Sequence, residues 1–222
     1  MYAKNLISEI VPALKTSDTG DKALSWMEFF KVSHLPIVNN EDFLGMISES
    51  DIYNLNCGKE AIGNHKLSLI RPFVLEDQHL WEVAEIVAEM KLTLIPVLAT
   101  DSKKFVGSVI LPDLVHHLAK ITGAGHTGSI IVLEMGQKDY SLNEISRIVE
   151  EENTKILSLY VSGANDSMKI FVTIKLDTTE ILPIVRSFDR YDYVIRASFL
   201  MDDDINKHYR DRYESFLSYL NV

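Results

Sequence analysis

Leu35-Pro36-Ile37-Val38, a short polar turn, then Phe43-Leu44-Gly45-Met46-Ile47-Ser48-Glu49-Ser50-Asp51 is the stretch that decides the architecture, because the chain writes it twice. The second version is Ile95-Pro96-Val97-Leu98, a longer turn, then Phe105-Val106-Gly107-Ser108-Val109, with Asp113 in the place of Asp51. Short apolar runs of this kind, bounded by turn residues, read as strands. Upstream, Ala23, Trp26, Met27 and Phe30 match Val83, Ile86, Val87 and Met90 at a shift of 60 (23→83), and Lys31 falls on Lys91. Each set is spaced i, i+3, i+4, i+7, one apolar face of a helix. The second turn is longer by two, so beyond it the shift becomes 62 (45→107). Each unit therefore reads strand, helix, strand, turn, strand, helix, over residues 1–62 and 63–122. A unit of about 55 residues has difficulty burying a core alone, and two copies packed sheet to sheet is the natural remedy.

Residues 123–128, Gly-Ala-Gly-His-Thr-Gly, read as a linker. Beyond it the pattern changes. Ser129 to Leu133 is strand-like, and Ser141-Leu142-Asn143-Glu144 reads as a capping box that opens a helix through Glu152. Ile156 to Val161 and Lys169 to Leu176 alternate like paired strands joined at Ser162-Gly163-Ala164-Asn165-Asp166. Thr178 or Thr179 is suited to cap a second helix, and Tyr193 to Phe199 supplies a last strand. That order, β-α-β-β-α-β over 129–200, is the ferredoxin-like plan. A final helix over 201–222 is expected, opened by Asp202-Asp203-Asp204 and carrying Tyr209, Tyr213, Phe216 and Leu220 on one face. It would pack on its own domain or on a second copy.

The 222 residues are 46% hydrophobic and 24% charged, enough for real cores and too mixed for a disordered chain. No apolar run approaches the roughly 18 residues a membrane span needs, and Met1-Tyr2-Ala3-Lys4-Asn5-Leu6 does not open a signal peptide. The lone Cys57 rules out an internal disulfide and fits a reducing cytoplasm. A net charge of −10 argues against sequence-independent nucleic-acid binding.

Each repeat resembles a CBS (cystathionine-β-synthase) domain, on Leu35-Pro36-Ile37-Val38 and on Gly45, Met46, Ile47, Ser48 and Asp51. The two together resemble a CBS pair, or Bateman module, covering residues 1 to about 122. The last domain is similar to an ACT-like domain in the order of its elements, and the layout resembles the acetoin-utilisation type of CBS–ACT protein. The fold implied is α/β and α+β: tandem β-α-β-β-α units, then a ferredoxin-like domain. The function implied is that of a sensor binding adenine nucleotide in clefts between the copies.

Under that resemblance Asp51 and Asp113 would accept hydrogen bonds from ribose hydroxyls, and the Ser48 hydroxyl with nearby helix amides would face phosphate. Ser48 and Asp51 read equally as a helix capping box that needs no ligand. His34 occupies the position before the proline strand where the family often has Arg or His; it reads as a phosphate ligand or as a surface histidine. Arg71 is a further phosphate candidate, and backbone around Pro12-Ala13 and Ile37 would meet an adenine edge. Leu94 and Ile110 depart from the pattern in the second copy. One site is thus better furnished, for AMP, ADP, ATP or a less charged ligand such as S-adenosylmethionine. In the ACT-like part, Tyr140 stands where the family has a ligand-approaching glycine, and Gly136 reads as strand-end punctuation, so sheet pairing between subunits is expected there rather than amino-acid binding.

Catalysis has no motif to rest on: Cys57 lacks a matched histidine, and adjacent His116 and His117 diverge on a helix. Glu150-Glu151-Glu152 reads as a solvated helix end. The expectation is a non-enzymatic, cytoplasmic regulator, a homodimer that reports ligand occupancy to a protein partner. A ligand-free dimeric adaptor is the alternative, and an enzyme with an unrecognised cleft the more distant one.

Overall fold

The first repeat turns helical at Thr19, whose hydroxyl accepts the Lys22 N–H and caps α1 (Gly20–Phe30). Ala23 and Met27 are the buried face of that helix. Lys31 closes it in the left-handed region (φ 57°), and an antiparallel hairpin follows, β1 (His34–Asn39) with β2 (Asp42–Ser48). The chain passes from β2 straight into α2 (Glu49–Leu55). The second repeat copies the plan with β3 (Val74–Leu75), α3 (Leu80–Glu89), β4 (Leu94–Leu98), β5 (Phe105–Ile110) and α4 (Leu111–Ile121). Even its irregularities are copied: Lys91 has φ 52°, and the register slips between Val97 and Leu98 as it does between Ile37 and Val38. The structure is a computed structural model, and it describes residues 1–8, 10–56, 58–65, 69–163 and 168–200.

The strand expected before each helix is small. In the second repeat it is β3, two residues paired in parallel with Val97 and Leu98. In the first it shrinks to one parallel bridge, Leu14 to Ile37, at the equivalent position (14→74, 37→97). Pro12 just ahead of Leu14 has no N–H to give to a ladder.

Ahead of these strands the repeats exchange their leading segments. Ser8, which leads the first repeat, pairs with Ser108 on β5 of the second, and Ile70, which leads the second, pairs with Met46 on β2 of the first. The motif glycines mark the two crossings. A Cβ on Gly45 would lie 2.5 Å from Leu69 Cβ, and one on Gly107 would lie 2.5 Å from Ile7 Cγ2. The cores are traded likewise: Leu94 and Ile110 pack in the cluster built on Leu35, Ile37, Ile47 and Ile52, while Ala3 and Leu6 pack with Val83, Ile95 and Val109. All of this lies in one unit, Met1–Leu118; a second compact unit begins at Ala119.

That second unit is built from β6 (Ser129–Gly136), α5 (Leu142–Glu151), β7 (Ile156–Gly163), β8 (Lys169–Leu176), α6 (Leu182–Arg190) and β9 (Val194–Leu200). Its sheet is fully antiparallel in the order β7-β8-β6-β9, the ferredoxin-like arrangement. Ile131, Leu133, Val172 and Ile174 of the sheet meet Ile145, Ile148, Ile184 and Phe188 of the helices.

Three local expectations are corrected. Ser141 accepts the Glu144 N–H, but Glu144 completes no capping box: its carboxylate accepts the Tyr193 hydroxyl at 2.8 Å. Neither Thr178 nor Thr179 caps α6; Thr178 Oγ1 accepts the Glu180 N–H, and the helix starts after Ile181 with Pro183 in its first turn, where a missing N–H costs nothing. Glu152 does more than face solvent, since it accepts the Ser187 hydroxyl. Among the described residues no helix is long and apolar enough to cross a membrane. Cys57, residues 164–166 of the β7–β8 turn and the expected last helix lie outside the described residues.

Candidate functional site

The β1–β2 register sets His34 opposite Ser48, so the imidazole stands beside the residue that opens α2. Ser48 is a cap in full. Its Oγ accepts the Asp51 N–H at 3.1 Å, and Asp51 Oδ2 in return accepts the Ser48 N–H at 2.8 Å and the Ser48 hydroxyl at 2.6 Å. Ser50 Oγ lies 2.8 Å away on the same oxygen. With the single Ser48 hydroxyl proton spent on Asp51, Ser50 is the donor there, and both Ser48 lone pairs are taken. A saturated hydroxyl has nothing left for a phosphate, and α2 is a helix of only 7 residues. The capping reading of Ser48 therefore describes its free-state bonding.

Asp51 is different. One carboxylate oxygen is committed to the cap, while Oδ1 takes no hydrogen bond among the described residues. His34 is near enough for the Asp51 charge to act on it. Burial lowers the imidazole pKa below the usual histidine value, and the Asp51 carboxylate pushes partly back.

A residue the sequence reading did not single out completes the group. Thr93, ahead of β4, accepts the Ser33 N–H on Oγ1 at 2.9 Å, and His34 Nδ1 lies 3.2 Å from that same oxygen. Ser33 and Thr93 are equivalent residues (33→93), and their carbonyls hold equivalent helix starts. Ser33 accepts the Glu49 N–H at 3.1 Å, and Thr93 accepts the Leu111 N–H at 3.0 Å. The repeats thus meet back to back at this pair. The duplication itself was the available signal for Thr93.

The other predicted residues disperse. Asp113 lies half-buried in the first turn of α4, but its neighbours across the β4–β5 register are Leu94, fully buried, and Ile110, packed on the core. The second copy thus has a carboxylate without the imidazole or the capping hydroxyl. Arg71 is exposed. It follows Ile70, whose antiparallel bridge to Met46 carries the backbone away from Ser48. Ile37 is wholly buried, and the backbone that the resemblance offers to an adenine edge runs between Leu14 on one side and Gly45 on the other. Ala13 is half-buried beside the Leu14–Ile37 bridge, and the parallel register sets it level with Pro36, two strand residues or about 7 Å along β1 from His34.

In the second unit a cavity of about 400 Å³ opens between the end of β6 and the start of β9, lined in part by Glu134, Asp139, Glu144, Lys169 and Tyr193. The Lys169 ammonium on Glu134 holds that carboxyl below its usual range. Burial, then the Glu144 carboxylate, pushes the Tyr193 phenol up to about 12. Tyr140 packs against the core at the loop where the resemblance would have placed an amino acid. Among the described residues no group of three or more His, Cys, Asp or Glu side chains is arranged to hold a metal ion.

Residues 4–56 match the model of the CBS domain family. That span includes Ala13, His34, Ile37, Ser48 and Asp51. The sheets and helices described above are consistent with a CBS pair followed by a further β-α-β domain. Among solved structures, a CBS domain pair/ACT domain protein from Thermotoga maritima is 21% identical, the match covering 54% of this chain and 98% of that one at a TM-score of 0.48. A putative acetoin utilization protein (AcuB) from Vibrio cholerae is 20% identical over 56% of this chain and 95% of its own, TM-score 0.48. CBSX2, solved in complex with AMP, is 20% identical over 54% and 97%, TM-score 0.46.

Proposed function

We propose that the tandem repeat binds an adenosine-containing ligand, an AMP-, ADP- or ATP-like nucleotide, at the junction held by His34, Asp51 and Thr93. Occupancy would be relayed by a change in how the module pairs, making this a regulatory rather than a catalytic protein. The observation that carries the reading is the open Asp51 Oδ1 beside the His34 ring. A carboxylate oxygen accepts hydroxyls of a ribose diol, and an imidazole N–H donates to a phosphate oxygen. The Ala13–Leu14 backbone lies about as far along β1 as a base lies from its phosphate. Only the first copy carries the full set, so one molecule per chain is expected. A ligand shifts the arrangement of two copies only as far as it prefers one arrangement, and a twofold homodimer is the proposed assembly.

The test is a thermal-shift and calorimetric panel of AMP, ADP, ATP, adenosine and S-adenosylmethionine on the full chain. Ligand at about 100 times its Kd stabilises by roughly 2.7 kcal/mol. Asp51→Asn is expected to weaken binding at least about tenfold, the loss of one charge-assisted hydrogen bond. Ser48→Ala is expected to cost about 1 kcal/mol of stability as a lost cap while leaving affinity within about twofold. A flat panel, with dimerisation intact, would put a ligand-free adaptor in place of the sensor.

A further inference from the structure

We propose that Thr93 is a positioning residue for His34: its hydroxyl fixes the ring with Nδ1 as acceptor and Nε2–H as donor, so that the second repeat decides what the first repeat's histidine presents. Thr93 Oγ1 has one proton and two lone pairs. One lone pair is taken by the Ser33 N–H at 2.9 Å. The proton needs an acceptor, and among the described residues His34 Nδ1, 3.2 Å away, is the one placed to receive it. Were Nδ1 protonated instead, the hydroxyl would accept twice and its own proton would have no partner among the described residues, the less favourable arrangement at a half-buried oxygen. With Nδ1 an acceptor, the neutral ring carries its proton on Nε2, which has no hydrogen-bond partner among the described residues. Burial lowers the imidazole pKa and so favours the neutral ring, in which the tautomer is the deciding variable.

The consequence is a donor next to an acceptor. Nε2–H and Asp51 Oδ1 together suit a ligand that offers both an anionic oxygen and a hydroxyl. The other tautomer would present two acceptors and repel a phosphate. The equivalent position in the second copy, Leu94, has no such choice to make and is fully buried. The identity of the ligand rests on the nucleotide reading above; the tautomer does not.

The experiment therefore has two arms. Nitrogen-15 imidazole spectra of the ligand-free full chain, with His34 assigned through His34→Gln, are expected to show an unprotonated Nδ1 and a protonated Nε2. Thr93→Val should give a tautomer mixture and Thr93→Ser should restore the single form. A Nδ1–H ring in the wild type, or spectra unchanged in Thr93→Val, would overturn the proposal. In the second arm, Thr93→Val is expected to weaken AMP about tenfold and adenosine less than about twofold, with Thr93→Ser again restoring AMP. Equal loss of AMP and adenosine would reduce Thr93 to a structural role. If the wild type binds neither, the nucleotide reading fails while the spectra still decide the tautomer.

Discussion

Ser48, Asp51 and Tyr193 show what single residues reveal and conceal. The S-x-x-D spacing of Ser48 and Asp51 was legible as a cap because a capping box is a local arrangement, three residues wide. The companion spacing at Ser141 and Glu144 misled, because Glu144 is claimed by Tyr193, 49 residues away and invisible to a local rule. That half-buried pair gives a pH prediction. The Tyr193 phenol ionises at about 12 in the folded chain against an ordinary 10.0, so the folded state favours the protonated form. Its stabilising share is fully present below pH 10 and is eroded as pH rises toward 12. Tyrosinate absorbance should show one tyrosine titrating last, and Tyr193→Phe should remove that late step. Thr93 was the harder residue to find, since its partner His34 is 59 positions away and bonded across two repeats.

At the scale of elements, the helical spacing found α1 and α3, because each turns one apolar face inward, while β1, β2, β4 and β5 were legible as short apolar runs written twice between turns. The expected leading strands were less legible, reduced to β3 and a bridge at Leu14. The segments around Ser8 and Ile70 carry no alternation long enough to announce a strand, and their partners lie in the other repeat. The glycines in the motif were visible in sequence, but their reason is the crossing each one admits. Gly107→Ala places a methyl 2.5 Å from Ile7 Cγ2, and a loss of about 1–3 kcal/mol is expected as the leader shifts to make room. Gly45→Ala should cost more. Its φ is +151°, and the methyl would meet Leu69 Cβ at 2.5 Å and the Ile70 carbonyl at 3.1 Å, atoms that cannot swing aside. Chemical denaturation midpoints of the two variants check the ranking.

For the molecule as a whole, the exchanged leaders have a thermodynamic consequence. Each repeat borrows a stretch of backbone and part of its apolar filling from the other: Ser8, Ala3 and Leu6 in one direction, Ile70, Leu94 and Ile110 in the other. A half deprived of its loan exposes an open sheet edge and an unfilled core. Residues 1–118 should therefore melt in one cooperative step, with equal calorimetric and van't Hoff enthalpies, although they are built as a duplication. Two resolved transitions within them would contradict this. The same reciprocity makes each leader a plug that a neighbouring molecule also carries, so refolding at high concentration invites intermolecular trading of Ser8 and Ile70 segments.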